Sequence, residues 1–324
     1  MIKQVFIILF LLSLSFAATG WIAPTVVALI AAVTLLAILF MFGYALHNDE
    51  IKMVSKEELY QLVTIAIIIG SLVGITEALD SISSNISGEN LSFPALALSY
   101  VNDDAAVVEA GYNNIVSFSS KVGLESSKSL SCSYLSLFTG FSACGSYSTL
   151  LGTFSLVFQG MGIALAEWGS MKFLLGFAET QAFGMLIPFG LFLRVFRFTR
   201  GAGAIVIGLA VALYVFLPIG IFLMHNILAE FENSHPNFQS GGPLAGAFSV
   251  SGCDAYTMYD DSNVNSAKST YNSAKDRFDY YAYLVLVKTT MTVVISMIVM
   301  LAGLRYVSTL AGAEVDVSIL TRIA

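Results

Sequence analysis

The amino-acid sequence predicts an all-α integral membrane protein with about five transmembrane helices. Of its 324 residues, 56% are hydrophobic and only 11% are charged, whereas soluble domains carry roughly 25% charged residues. Several apolar runs approach the ~20 residues that a helix needs to cross a bilayer. We expect a cleaved signal peptide, an outside N-terminus, an inside C-terminus and a small external domain built from two loops.

Residues 1–17 have the pattern of a secretory signal peptide. Lys3 supplies a positive start, 5–14 form an apolar stretch, and Ser15-Phe16-Ala17 offers small residues before a cleavage site. Cleavage there leaves the new N-terminus outside. The alternative is an uncleaved first transmembrane helix.

Residues 18–80 contain the first two predicted spans, Trp21–Leu46 and Leu59–Leu79, joined by a short charged link. Gly70 and Gly74 in the second span are spaced so that another helix can approach closely. In an apolar helix such a pair also arises by chance.

Residues 81–148 are too polar to cross a membrane and are predicted to form an external loop. The loop contains two glycosylation sequons, which begin at Asn85 and Asn90. A sequon is useful only when it is exported, so both asparagines favour an outside location. The stretch 107–128 is compatible with a helix on the surface.

The stretch 149–193 is too long for one span and marginal for two. One interpretation is an interfacial or re-entrant helix to about Trp168, followed by a span from about Ala178. The other is a complete hairpin. With the central hairpin that follows, this region extends over 149–225.

The central hairpin, 183–223, has two apolar runs on either side of a basic turn. Each run carries a Pro-x-Gly-x-Phe-Leu element, in which we expect the helix to break at Pro188 and Gly190, and again at Pro218 and Gly220. The turn carries three arginines at a spacing of three residues: Arg194, Arg197 and Arg200.

The positive-inside rule places the basic turn in the cytoplasm and selects five spans with 149–193 crossing once. The loops 81–148 and 226–280 are then external, and both are acidic. The last span and a cytoplasmic tail make up 281–324. The protein is thus predicted to be a multi-pass protein of the cell (plasma or inner) membrane.

The external loops also contain the three cysteines. Cys132 and Cys144 are the easiest pair to join in an oxidising compartment because they close a short loop. Pairings through Cys253 remain open.

The last helix is predicted to begin near Ser262, before the span itself. Apolar residues recur there at four-and-three spacing: Ala267, Tyr271, Ala274, Phe278 and Tyr281. We expect this stripe to pack on the 81–148 loop and so to form the small external domain.

The sequence carries no recognisable catalytic, cofactor-binding or metal-binding pattern, and we do not expect an enzyme. It has no phosphate-binding Gly-rich loop, and its three histidines lack metal-ligand spacing. Four acidic residues map near span ends, where water can solvate their charges: Glu77, Asp80, Glu179 and Glu230. A transporter remains the alternative, because broken helices at matching positions build midplane sites in transporters.

The basic turn has two interpretations. Three arginines after a span are a common topology determinant, and they also suit docking of an acidic partner or of nucleic acid. The inner segments carry a net charge of only about +1, so no direct nucleic-acid-binding surface is evident.

The stretch Leu186-Ile-Pro-Phe-Gly-Leu-Phe-Leu-Arg-Val-Phe-Arg-Phe-Thr-Arg-Gly-Ala-Gly203, with the apolar run after it, resembles a known family. It is similar to the polytopic membrane subunits of type IV secretion and conjugation machineries, the VirB-six/TrbL group and its archaeal CedA-like relatives. The resemblance implies an outside N-terminus, about five spans, a large external loop and an inside C-terminus.

The resemblance further implies a non-enzymatic channel or scaffold subunit of a machine that transfers DNA or protein. Such a subunit is embedded in membrane lipid, as a homo-oligomer or in a complex with a separate ATPase and small pilin-like subunits. The alternative is a stand-alone membrane transporter or a structural envelope protein. An inward-facing pair of carboxylates would favour the transporter.

Overall fold

The computed structural model describes residues 22–47, 49–127, 146–194, 199–239, 248, 250–252 and 261–311. These residues are helical apart from short connections, which confirms the predicted all-α class. The predicted signal peptide and all three cysteines lie outside the described residues.

The first half of the chain contains four long α-helices, which are α1 (Ile22–Ala45), α2 (Asp49–Ser87), α3 (Phe93–Ser126) and α4 (Ser146–Phe177). A π-helical segment, π1 (Ala178–Leu186), follows α4 directly and leads into α5 (Ile187–Arg194). Next come α6 (Arg200–Val211), π2 (Ala212–Phe216), α7 (Leu217–Ser234) and a 3-10 turn (Pro236–Phe238). The last helical run consists of α8 (Asp261–Ala282), π3 (Tyr283–Met291) and α9 (Thr292–Leu310).

Four helical segments of the described residues are long and apolar enough to cross a membrane. They are Ala23–Ala45, Phe154–Arg194, Arg200–Ser234 and Val264–Leu310. This supports the prediction of a membrane protein with several transmembrane helices. The second predicted span, Leu59–Leu79, is not among these four; it lies within α2 and stays a prediction, as does the orientation.

The segment 146–194 differs from both interpretations of its sequence. It is one uninterrupted helical run of α4, π1 and α5, without a turn near Trp168. It is therefore neither a hairpin nor a re-entrant loop. Its apolar residues continue without a Pro or Gly-rich turn signal before Pro188, so nothing in the chain ends the helix there.

The predicted helix breaks at Pro188 and Pro218 are wrong, because both prolines lie inside continuous helical runs. Each is the second residue of an α-helix that directly follows a π-helical segment. In an α-helix a proline ring clashes with the carbonyl four residues earlier. Those carbonyls belong to Gly184 and Tyr214, within π1 and π2, where the wider turn displaces them.

The chain forms two compact units. Unit 1 comprises Met1–Ser99, Lys172–Phe222 and Ile295–Ala324. In it α1 packs against α2 and α5, and α5 packs closely against α6. Phe183 and Tyr214 stack with ring centroids 4.1 Å apart and join π1 to π2.

Unit 2 comprises Tyr100–Met171 and Leu223–Val294. Its core is aromatic: the Phe118 ring contacts Phe154 and Phe248, with centroids 4.9 and 4.5 Å apart. Phe248 also stacks on Tyr281 at 5.4 Å. Both loops that were predicted to form an external domain contribute residues to this unit.

The predicted stripe of the last helix lies largely in the core of unit 2. α8 begins at Asp261, next to the predicted start, and Ala267, Ala274 and Tyr281 are buried. Tyr271 is 48% exposed and therefore does not belong to the buried face of the helix. The Tyr281 ring faces Gly111 of α3, where an added Cβ would meet it at 3.4 Å.

Candidate functional site: a buried ion-pair cluster

The candidate site begins with a carboxylate on the buried face of α3. Val101, Ala105, Val108 and Ile115 recur at helical spacing, and all are buried. Asp104 lies on the same face and is 8% exposed. An acidic side chain on an apolar stripe must find a partner inside the protein, because burying an unpaired charge is very costly.

The partner is Lys288, in π3. Lys288 is the one charged residue in the apolar run 281–304, and it is 6% exposed. Lys288 and its sequence neighbour Thr289 are both buried. Thr289 and Thr290 each donate a side-chain hydrogen bond to the carbonyl five residues earlier, which supports the wide helical turn.

The Lys288 ammonium lies between two carboxylates. Its Nζ is 3.1 Å from Oδ1 of Asp104 and 2.8 Å from Oε1 of Glu232, near the end of α7. The Tyr283 hydroxyl donates to the same Glu232 oxygen at 2.9 Å. Because these side chains are at most 16% exposed, water screens the pairs only weakly.

His225 connects this cluster to the surface. Its Nδ1 lies 3.7 Å from Oδ2 of Asp104, and its side chain is 32% exposed. The Tyr100 ring stacks on the imidazole with centroids 4.1 Å apart and an angle of 9° between the planes. A protonated His225 would therefore place a second positive charge beside Asp104.

The charges of the cluster nearly balance. Asp104, Glu232 and Lys288 together carry −1, and a protonated His225 brings the sum to zero. Burial alone raises the pKa of Asp104, but His225 and Lys288 outweigh burial and lower that pKa below its ordinary value of 3.8. Asp104 thus stays ionised at neutral pH.

A second buried polar contact lies one residue along π3. Nε1 of Trp168 donates to Oγ1 of Thr289 at 2.9 Å, and Trp168 is 1% exposed. The Thr289 hydroxyl in turn donates a hydrogen bond to the Leu284 carbonyl oxygen at 2.9 Å. π3 is therefore held by α3 and α7 through Lys288 and by α4 through Thr289.

The residues of the basic turn are not equally accessible. Arg194 is only 8% exposed. Its backbone also lies close to α6, since a Cβ on Gly203 would be 2.8 Å from the Arg194 nitrogen. This burial does not fit the prediction that Arg194 offers a docking surface. Arg200 is partly exposed, and Arg197 lies outside the described residues.

The two predicted glycosylation sites are both exposed. Asn85 is exposed on α2, and Asn90 is exposed in the link to α3. Asn90 also lines an open cavity of about 360 Å³ with Asp80 and Ser84. Cys132 and Cys144 lie outside the described residues.

Gly190 and Gly220 lie where helices of unit 1 pack against each other. A Cβ on Gly190 would meet Ile207 at 2.7 Å, and one on Gly220 would meet the Cα of Ser296 at 2.7 Å. Both glycines allow backbones to approach where any larger residue would clash.

Sequence reasoning missed the residues of the ion-pair cluster. Asp104 and Glu232 were placed in external loops, and Lys288 was passed over within the last span. A signal for Lys288 was present, since an ionisable residue inside a long apolar run marks a functional or paired position. Its partners carried no such signal because they are far from it in sequence.

Comparison of this chain with protein-family models, curated proteins and solved structures gives no match.

Proposed function

We propose that this protein is a non-enzymatic channel or scaffold subunit of a type IV secretion-like machine that transfers DNA or protein. It works as a multi-pass protein of the cell membrane, with the basic turn in the cytoplasm and the loops 81–148 and 226–280 outside. Its partners are further copies of itself or a separate ATPase and small pilin-like subunits.

The observation that carries this proposal is the packing of the central hairpin. Within the stretch 186–203, on which the family resemblance rests, Gly190 of α5 and Gly203 of α6 bring the two helix backbones close together. A Cβ on Gly203 would lie 2.6 Å from the Gly190 carbonyl oxygen. The two helices of the hairpin thus pack backbone to backbone, as expected of a subunit that holds its docking residues on rigid elements.

The basic turn supports docking through a subset of its arginines. Arg200 begins α6 and is partly exposed, whereas Arg194 is covered. Gly201, next to Arg200, is exposed with open space around it. An acidic surface of a cytoplasmic partner would meet the Arg200 end of the turn.

The test is a crosslink and gentle pull-down from native membranes, with an affinity tag after Ala324. The proposal predicts recovery of a hexameric ATPase or of pilin-like subunits. An Arg200→Glu variant should lose the ATPase, and a Lys275→Glu variant, altered at an exposed site of α8 in unit 2, should retain it. Recovery of the protein alone, as a monomer or small oligomer, would overturn the proposal.

A stand-alone transporter is the second candidate, and one observation favours it. Asp104 and Glu232 form a buried pair of carboxylates around Lys288, inside or next to candidate membrane spans. This function predicts solute or ion uptake by the purified protein in liposomes without a partner. Loss of that uptake in Asp104→Asn, with activity kept in Asp103→Asn, would support it.

A further inference from the structure

The ion-pair cluster joins three separate helical segments of unit 2. Asp104 comes from α3, Glu232 and His225 come from α7, and Lys288 comes from π3. No two of these segments are neighbours along the chain. The cluster therefore fixes the tertiary arrangement of unit 2 rather than the local structure of one helix.

We infer that this cluster is an acid-released latch, in which protonation of the Asp104 and Glu232 carboxylates frees π3 from α3 and α7. Each proton that binds converts a carboxylate into a neutral acid. The Lys288 ammonium then remains buried between groups that no longer balance its charge. This inference does not depend on the proposed function.

The latch needs two carboxylates because each holds a different segment. Loss of charge on Asp104 alone leaves Lys288 bound to Glu232 at 2.8 Å, and so leaves π3 attached to α7. Loss of charge on both carboxylates removes both negative charges that pair with the Lys288 ammonium. Because a buried charge without a partner is strongly destabilising, the ammonium must move toward water, and π3 must move with it.

The pH at which the latch opens depends on all charged groups that face it. Besides Asp104 and Lys288, these are His225 and Glu232 of α7, Tyr280 of α8 and Tyr283 of π3. Asp103 of α3 and Glu230 of α7 are exposed, so solvent screens their charges and they influence the latch little. His225 opposes release when it is protonated, because it adds a positive charge beside Asp104.

The direction of the pH dependence follows from Asp104. Its pKa in the folded protein lies below the ordinary 3.8. The stability that it contributes is therefore fully present above pH 3.8 and is lost as the pH falls through the lower folded pKa. We expect the latch to be closed at neutral pH and to open in strong acid.

Trp168 provides a reporter on π3. The chain has two tryptophans, and a Trp21→Phe background leaves Trp168 as the sole one. Trp168 is buried and donates to Thr289, the residue after Lys288. Release of π3 should break this hydrogen bond, shift the Trp168 emission to the red and increase quenching by acrylamide.

The experiment is a pH titration from 7 to 2 of the purified full chain in nanodiscs, following Trp168 fluorescence and far-ultraviolet circular dichroism together. The expected result is a fluorescence transition below pH 3.8 with helicity retained. Asp104→Asn should raise its midpoint by about one pH unit, because one counter-charge is already absent. The matched variants Asp103→Asn and Glu230→Gln should leave the midpoint unchanged.

A triple variant that lacks all three charges of the ion pairs serves as a second test, because a single substitution that leaves an unpaired buried charge could prevent folding. Asp104→Asn/Glu232→Gln/Lys288→Met has the latch sites neutral at every pH, and we expect it to be folded and to show no acid transition in Trp168. The inference is overturned if this variant titrates like the wild type. It is equally overturned if Asp104→Asn matches Asp103→Asn, or if helicity is lost at the fluorescence midpoint.

Discussion

Gly190 and Gly203 lie so close that a Cβ atom on Gly203 would be 2.6 Å from the Gly190 carbonyl oxygen. The Gly190 oxygen belongs to the backbone, and the position of an added Cβ is fixed by the backbone of Gly203, so no side-chain rotation can relieve the clash. The central hairpin thus depends on the absence of a side chain at this position. Gly201, two residues earlier, has open space around it and shares the same helix.

We predict that Gly203→Ala destabilises the protein by about 1–3 kcal/mol, because the added methyl group forces α5 and α6 apart. The measurement is the free energy of unfolding in mixed detergent micelles. Gly201→Ala is the matched control and should be neutral or slightly stabilising, because alanine favours the helix. Equal destabilisation by the two variants would contradict the packing described for the hairpin.

Gly220 makes the corresponding contact with the last helix. A Cβ there would lie 2.7 Å from the Cα of Ser296, again a backbone atom. Gly220→Ala should therefore lower the unfolding free energy by about 1–3 kcal/mol, whereas Gly176→Ala, at an open position of α4, should not. A Gly220→Ala variant as stable as Gly176→Ala would show that α7 and α9 do not touch at this point.

Lys288→Met should destabilise the protein by about 3–5 kcal/mol at neutral pH, because it leaves Asp104 and Glu232 buried without their counter-charge. Adding Asp104→Asn and Glu232→Gln to Lys288→Met should restore most of this loss. Thermal unfolding of the single and triple variants checks both expectations. Lys275→Met, at an exposed position of α8, is the control and should change stability little.

If the single Lys288→Met variant were as stable as the wild type, the ion pairs would not hold unit 2 together. A triple variant no more stable than the single one would point instead to a packing role for the lysine stem.

Thr289→Val should cost about 1–3 kcal/mol, because it leaves the buried Nε1 of Trp168 without an acceptor. Thr289→Ser keeps the hydroxyl and should recover most of that loss. The unfolding free energy, with Trp168 emission as a local probe, separates the two variants. Similar losses in both would mean that the methyl group of Thr289 matters more than its hydrogen bond.

The sequence predicted well those elements that depend on local pattern. The first span, Trp21–Leu46, agrees with α1 within one residue at each end, because a continuous apolar run ends at polar residues on both sides. The start of α8 was also predicted within one residue of Asp261. Its four-and-three stripe reaches the core at Ala267, Ala274 and Tyr281, since helical spacing puts these on one face.

The features that depend on tertiary contacts were not predictable in this way. Pro188 and Pro218 suggested breaks, whereas the surrounding helices hold both segments continuous and a π-helical turn absorbs each proline. Lys288 is conspicuous in its apolar run, but its partners Asp104 and Glu232 look like ordinary loop acids. Only the packing of α3 and α7 around π3 brings the three charges together.

The most direct test of the proposed function is photocrosslinking in living cells from a photoreactive amino acid at position 201. This position is exposed beside Arg200, and the same residue at position 162 of α4, also exposed, is the control. We predict that position 201 crosslinks to an ATPase or another cytoplasmic subunit of a transfer machine and that position 162 does not. Crosslinks from position 201 to lipid alone would contradict the proposal that the basic turn docks a partner.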